Sequence, residues 1–492
     1  MWAKVVRGVL YEPNEEVDDG GRVRPRRRQR LGQAAITGKQ VLQNNTNMWD
    51  PNRPTTGTEM TPTTGTFHAG GVAACDGCHV MHNASSGVAR STRVAPWTNA
   101  VPAFLLQGSD QSSTCLNCHG DSTHNANTPY VITNTGTTVA QMNYSPGGDF
   151  GWLREATGYT ERSGHNVVAS DFSMAADGTM TTAPGGTYRP GSGLAAFACS
   201  SCHDPHGRFR MQGNGTRWNW AGPVVQAGLV DRITQPIWAS GSYGAIPDDT
   251  KAVGAYRLLA GVGYFPASNI ASPTPFVSNP PVAVAPAGYN RSEAGAGANK
   301  NLEVRVAYGA GMSEWCANCH TNIHMDSYVS GAQGGTGLKH PAGALAALKP
   351  GQYNVYNTYI SSGRFDGTGD QYTSLVPFEN AARIGYDGHS GNIADLTALA
   401  AATTGAANGI FVASAQSNVM CLSCHRAHAS AFTSMVRWNP DDTFITDSTA
   451  NFVDTKAGGR AAGALKAGYY GRDPVDMGTY QRSLCNKCHG KD

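Results

Sequence analysis

Residues 421–430 read CLSCHRAHAS, and the two histidines in this stretch decide how the whole chain is built. Cys421 and Cys424 place two thiols three positions apart, and His425 follows directly. That spacing lets two thioethers form to one haem while the histidine reaches its iron. His428 comes three residues later. It lies on the same side of the macrocycle as His425 and cannot easily cross it, so it is expected to ligate the iron of a different haem. Each such pair ties two haems together, and repetition makes a row.

The pattern recurs across the chain. All twelve cysteines fall in Cys-x-x-Cys-His units: Cys75, Cys78 and His79; Cys115, Cys118 and His119; Cys199, Cys202 and His203; Cys316, Cys319 and His320; Cys421, Cys424 and His425; Cys485, Cys488 and His489. Cys-x-x-Cys also occurs in zinc sites and redox dithiols. A zinc reading must explain a histidine after every pair, and a disulfide reading has no use for one. Six covalently attached haem c groups are therefore expected.

Fifteen histidines are present, and nine lie outside the six units. His82, His206, His324 and His428 sit three or four residues beyond a unit histidine. His165, His340 and His389 lie in turn-like contexts able to present a side chain. His68 is a weaker candidate, and His124 reads as a surface residue. Six irons with two histidines each need six distal ligands. Methionine could serve instead and would raise the potential, but none of the thirteen recurs at a fixed offset from the units.

The rest of the composition suits a chain wrapped around such groups. Sixty of 492 residues are glycine, 26 are proline, and only 15% are charged. Average proteins have about 7% glycine and 25% charged residues. Little helix or strand propensity offsets the entropy of ordering this chain, so the apolar macrocycles must supply the surface a normal core takes from Leu and Phe. The expected fold is mostly irregular coil with short α-helices and little β, a single multihaem domain packed around a continuous chain of six haems. The units recur at irregular intervals of 40, 84, 117, 105 and 64 residues, which argues against a solenoid of equal repeats. Residues 1–66 read as a polar extension, disordered or leader-derived, and residues 67–492 as the cytochrome domain. No run of about 20 apolar residues exists to span a membrane. A formal charge of +2 gives no general case for nucleic-acid binding. Because haems of this type are attached outside the cytoplasm, the chain must be exported.

Longer motifs now carry a resemblance. FHAGGVAACDGCHVMH (67–82), PGGDFGW (146–152), TTAPGGTY (181–188), CSSCHDPHG, MSEWCANCHTNIH, CLSCHRAHAS and YQRSLCNKCHGKD are similar to the OmcS-type hexahaem cytochromes of metal-reducing bacteria. The resemblance covers about residues 67–492. It implies bis-histidine ligation of all six haems and polymerisation outside the cell into filaments with an unbroken haem chain. It also implies electron transport to extracellular acceptors such as iron oxides, supplied by donor cytochromes. By the same resemblance, His82 ligates the haem at Cys421, Cys424 and His425 of the neighbouring subunit. The segments of His165, His206, His324, His340, His389 and His428 match as well, giving more candidates than the six required.

Bis-histidine iron has no open position and can only exchange electrons, so an electron carrier rather than an enzyme is expected. A multihaem reductase of nitrite, hydroxylamine or sulfite would need one open iron, often marked by lysine at the ligand position. Lys487 lies between the cysteines of CNKCH, not at that position. A soluble monomeric shuttle with the same ligation is the third reading.

Overall fold

The computed structural model describes residues 78–79, 84–85, 88–89, 105–120, 131–132, 147–154, 162–186, 188–192, 195–205, 259–260, 264–266, 268–269, 275–278, 307–321, 340–343, 346–361, 376–380, 413–454 and 462–490, with strand segments at 15–17, 23–25, 211–212, 239–240, 252–254 and 283–284. Cys75, His68, His82, His124, His206, His324 and His389 lie outside them, as do the side chain of Cys118, nearly all of residues 1–66 and the expected boundary at 66. The chain divides into Met1–Ile36 and Thr37–Asp492. Within the first unit, β1 (Glu15–Val17) pairs antiparallel with β2 (Val23–Pro25).

Regular structure in the second unit comes in short pieces, as the composition requires. The described helices are α1 (Gln111–His119), α2 (Met312–Cys316), α3 (Pro350–Ser361), α4 (Cys421–Cys424), α5 (Ala462–Gly468) and α6 (Pro474–Met477). Strands of two or three residues form the hairpin β3 (Ala84–Ser85) with β4 (Val88–Ala89). A three-stranded sheet has the order β5 (Met211–Gln212), β7 (Ala252–Gly254), β6 (Ala239–Ser240). A four-stranded one has the order β11 (Ser417–Asn418), β10 (Glu379–Asn380), β9 (Ala307–Gly309), β8 (Ala283–Val284). Strands this short cannot hold a domain together by their ladders.

Short polar side chains do part of that work instead. The Asp447 carboxylate accepts from the Thr449 and Asn451 backbone N–H groups at 2.8 and 2.9 Å, and Asp177 takes the same role toward Thr179 and Met180. Asp, Ser, Thr and Asn thus satisfy backbone groups that no helix or sheet supplies. Two apolar clusters lie between these loops. One contains Leu116, Phe150, Trp152, Phe432 and Trp438; the other contains Leu259, Tyr308, Met312, Trp315, Met420 and Leu422. Cys202, Cys316 and Cys319 pack against the second cluster, so attachment cysteines border the core.

Candidate haem sites

Each well-described unit is one turn of helix. The histidine N–H donates to the carbonyl of the first cysteine at 2.9 Å in His203 and His425, and at 3.0 Å in His320 and His489. That i to i−4 bond sets positions i, i+3 and i+4 on neighbouring lines of one helical face, so two thiols and one imidazole converge. None of the ten described cysteines forms a disulfide. Burial pushes Cys319 and Cys424 up to about 12 and Cys488 to about 11, an environment for a neutral sulfur rather than a metal-binding thiolate.

Three unit histidines face a second histidine from far along the chain. His165 and His320 have ring centroids 6.1 Å apart, His340 and His489 6.2 Å, and His203 and His428 6.5 Å. Two imidazoles on opposite sides of one metal ion, with bonds of about 2.0–2.1 Å, have centroids roughly 6 Å apart. The rings are also orientated. Nδ1 of His165 lies 2.6 Å from the Ala427 carbonyl, that of His320 3.0 Å from Pro184, that of His425 2.7 Å from Ser434, and that of His340 2.9 Å from Pro341. A proton held on Nδ1 by a carbonyl leaves Nε2 as the free donor. Desolvation, reinforced by the facing His320, lowers His165 to about 4; desolvation and His203 lower His428 to about 3. Both are therefore neutral at pH 7, the form that binds a metal. These residues fit a haem c with two axial histidines.

The stretch that opened the sequence reading is the node of this arrangement. His428 donates its N–H to Gly147 at 2.6 Å and accepts from the His165 N–H at 2.9 Å. It stacks on Phe150 at 4.7 Å. Residues 427–429 thus leave the fifth unit, face the histidine of the third through His428, and orient the ring that faces the fourth through the Ala427 carbonyl. Glycines permit the close approach. Gly148 has φ +91°, and a Cβ there would meet the Ala429 carbonyl at 1.9 Å; one on Gly147 would meet His428 Nδ1 at 3.0 Å.

Thiol neighbours then order the units. Cys115 is hydrogen-bonded to Cys199, and Cys316 to Cys421. Cys202, raised first by burial, is raised further by the nearby Cys319, and Cys424 feels Cys488 and Cys485 in the same way. The Gln107 N–H donates to the Cys78 carbonyl at 2.9 Å just before the chain enters the second unit. Neighbours in space therefore follow chain order from the first unit to the sixth. The odd units also share a backbone device: Gln107, Ala260 and Arg437 donate to the carbonyls of Cys78, Cys202 and Cys424 at 2.9, 2.9 and 2.8 Å.

The Cys115–Cys199 and Cys316–Cys421 junctions are built alike. Cys199 N–H donates to Ser112 Oγ, and Cys421 N–H to Ser313 Oγ, each at 3.1 Å. Ser201 and Ser423 accept from the N–H groups of Ala198 and Met420, each at 3.0 Å. The helix caps differ. Asp110 caps α1 with Oδ1 on Ser113 N–H, while its Oδ2 accepts from Ser170 N–H, both at 2.7 Å. Gly311 occupies the matching position of α2, and Glu379 on β10 reaches in to accept from Gly311 and Met312 at 3.1 and 3.3 Å.

No family model matches the chain. The C-type cytochrome OmcS of Geobacter sulfurreducens is 43% identical over 452 residues, covering 87% of this chain and 94% of that protein. Two solved structures align with 86% of this chain and all of theirs: the cryo-EM structure of OmcS nanowires from Geobacter sulfurreducens, at 40% identity and a TM-score of 0.64, and an Outer Membrane Cytochrome S filament from the same organism, at 38% and 0.65.

Proposed function

This chain belongs to the OmcS family of c-type cytochromes, and on that premise we propose that it is a subunit of an extracellular, homopolymeric filament that carries electrons along six covalently bound haems. The observation that carries the reading is the trio of histidine pairs at 6.1–6.5 Å. Each joins an attachment-unit histidine to one elsewhere in the chain.

The haem supplies a reversible one-electron iron couple. The chain's residues do the rest. Cys199 and Cys202, Cys316 and Cys319, and the other pairs fix the macrocycles by thioether bonds, while Leu259, Met312, Trp315 and Leu422 keep water from units three to five. His203 with His428, His320 with His165, and His489 with His340 would hold three of the irons in pairs. His79, His119 and His425 then need partners. By family resemblance His82 of a neighbouring subunit serves the iron at His425, which leaves His206, His324 and His389, with His68, for the other two. An iron held by two imidazoles would have no position open to a substrate, so such a haem would supply electron transfer alone. Lys487, the one unusual residue of the last unit, does not replace a ligand: it is buried, its Nζ donates to the Arg482 carbonyl, and it lies over the Tyr359 and Trp438 rings at 4.5 and 5.4 Å. Among the described residues no helix is long and apolar enough to cross a membrane.

Cryo-electron microscopy of purified protein beside an H82A variant tests the filament. Long filaments that shorten or vanish in the variant support ligation across the subunit boundary. Filaments alike in both samples remove that bond from the proposal, and discrete particles in the wild type overturn the polymer.

A further inference from the structure

Glu379 on β10 is 0% exposed, yet it is an acid. Its Oε2 is held by the Gly311 and Met312 N–H groups, while its Oε1 has no hydrogen-bond partner. Burial of a carboxylate with an unsatisfied oxygen is costly unless the group is neutral. The groups around it offer no relief. From α2 comes a second acid, Glu314, which raises Glu379 electrostatically; from the head of α4 comes Cys421, which carries no charge once bound as a thioether. The neighbouring strands place Tyr308 and Asn418 in register with Glu379, and both are buried. A Cβ at Gly343 would collide with Glu314 Oε1, so this segment passes close over that acid, while its His340 and Lys349 are exposed. Among the described residues, none of the groups that act on Glu379 is a cation.

A second acid beside a buried carboxyl adds to the cost of ionising it, and Glu379 carries both burdens. The pair lies beside the hydrogen-bonded thiols of the fourth and fifth units: Glu314 shares α2 with Cys316, and Cys421 acts on Glu379. We propose that Glu379, with Glu314, is a proton-binding site coupled to the electrons at these two haems. The inference rests on the electron-carrier reading above. Where Glu379 has lost its proton, an electron arriving from the filament's donor lowers the local charge by one, and Glu379 takes up one proton from water. Oxidation returns the electron to the next carrier and the proton to water, so charge balances in both directions. The matching junction has no such site, because both Asp110 oxygens are engaged by N–H groups.

The test is a spectroelectrochemical titration of intact haem-loaded protein between pH 6 and 9, in wild type, E379Q, E314Q and D110N, paired with reduced-minus-oxidised infrared spectra. The wild-type potential of part of the haem signal should fall as pH rises through the range where the pair loses its proton, with a carboxyl C=O band in the infrared difference. E379Q should abolish both, and D110N should keep both. If E379Q does not load haem, E314Q answers the same question, because a lone acid ionises at lower pH and the slope moves down. An unchanged slope and band in the loaded Glu variants would assign the proton to other acids, the haem propionates among them, and overturn the proposal. Absence of low-spin haem in the wild type would instead strike the electron-carrier reading.

Discussion

The junction at Cys115 and Cys199 and the junction at Cys316 and Cys421 are one design executed twice. Both use a serine three residues before the leading cysteine, and both use a second serine inside the following unit. They part at the cap. Asp110 brings its own carboxylate to α1, where charge meets the positive end of the helix and every oxygen is used. At α2 a glycine stands in its place, and the carboxylate arrives from β10, buried and beside another acid. Where the acid is local, both its oxygens accept from backbone N–H groups. Where it is borrowed from a strand, one oxygen is left without a hydrogen-bond partner.

The comparison can be broken most severely at the axial ligands, one per junction. H428A should leave the iron at His203 five-coordinate, and H165A the iron at His320. Each variant should turn one haem of the six high-spin, read by electron paramagnetic resonance. Low-spin signal intact in either variant would refute that pair.

Next in size is the pH dependence of folding. Burial first and Glu314 second push Glu379 up to about 8, while the unfolded carboxyl titrates near 4.3. Between those values the folded chain binds more protons than the unfolded one, so the group's contribution to stability is lost as pH rises. The E379Q variant should therefore gain on wild type, by on the order of 1–3 kcal/mol, from pH 5 to pH 8 in denaturant titrations. A difference flat in pH would mean that Glu379 is ionised throughout.

A smaller contrast concerns the caps at pH 6. D110N should cost about 1 kcal/mol, because the amide has one acceptor oxygen for the two N–H groups that Asp110 now holds. E379Q should cost less than about 0.5 kcal/mol there, since the acid it replaces is already protonated. The finest test is equivalence. S112A and S313A each remove one acceptor from a cysteine N–H and should each cost about 1 kcal/mol in thermal unfolding. A gap much above about 0.5 kcal/mol would show that the junctions are not equivalent.

How much of this was legible beforehand follows from sequence separation. Attachment chemistry is local: five residues carry two thiols and a ligand, so Cys421, Cys424 and His425 could be read at sight. The character of the fold, coil with short helices, followed from glycine, proline and the small polar residues. The pairs were not legible, because His165 meets the Ala427 carbonyl across 262 residues. Ser112 and Ser313 reach their cysteines across 87 and 108 residues, and they read as ordinary helix-start serines. A periodic signal was available, since Ser-x-x-Cys precedes both the second and fourth units, but only the contact gives it meaning. Glu379, in VPFEN, reads as a solvated surface acid; its burial is decided by strands at 308 and 418 and by a helix cap that lacks its own side chain.

Both His428 and the Ala427 carbonyl that orients His165 lie more than 100 residues beyond the units they serve. A chain cut short before residue 421 would keep the units at His203 and His320 and lose the partner of one and the brace for the partner of the other. The third and fourth sites are thus completed from the same three residues, and one truncation would undo both.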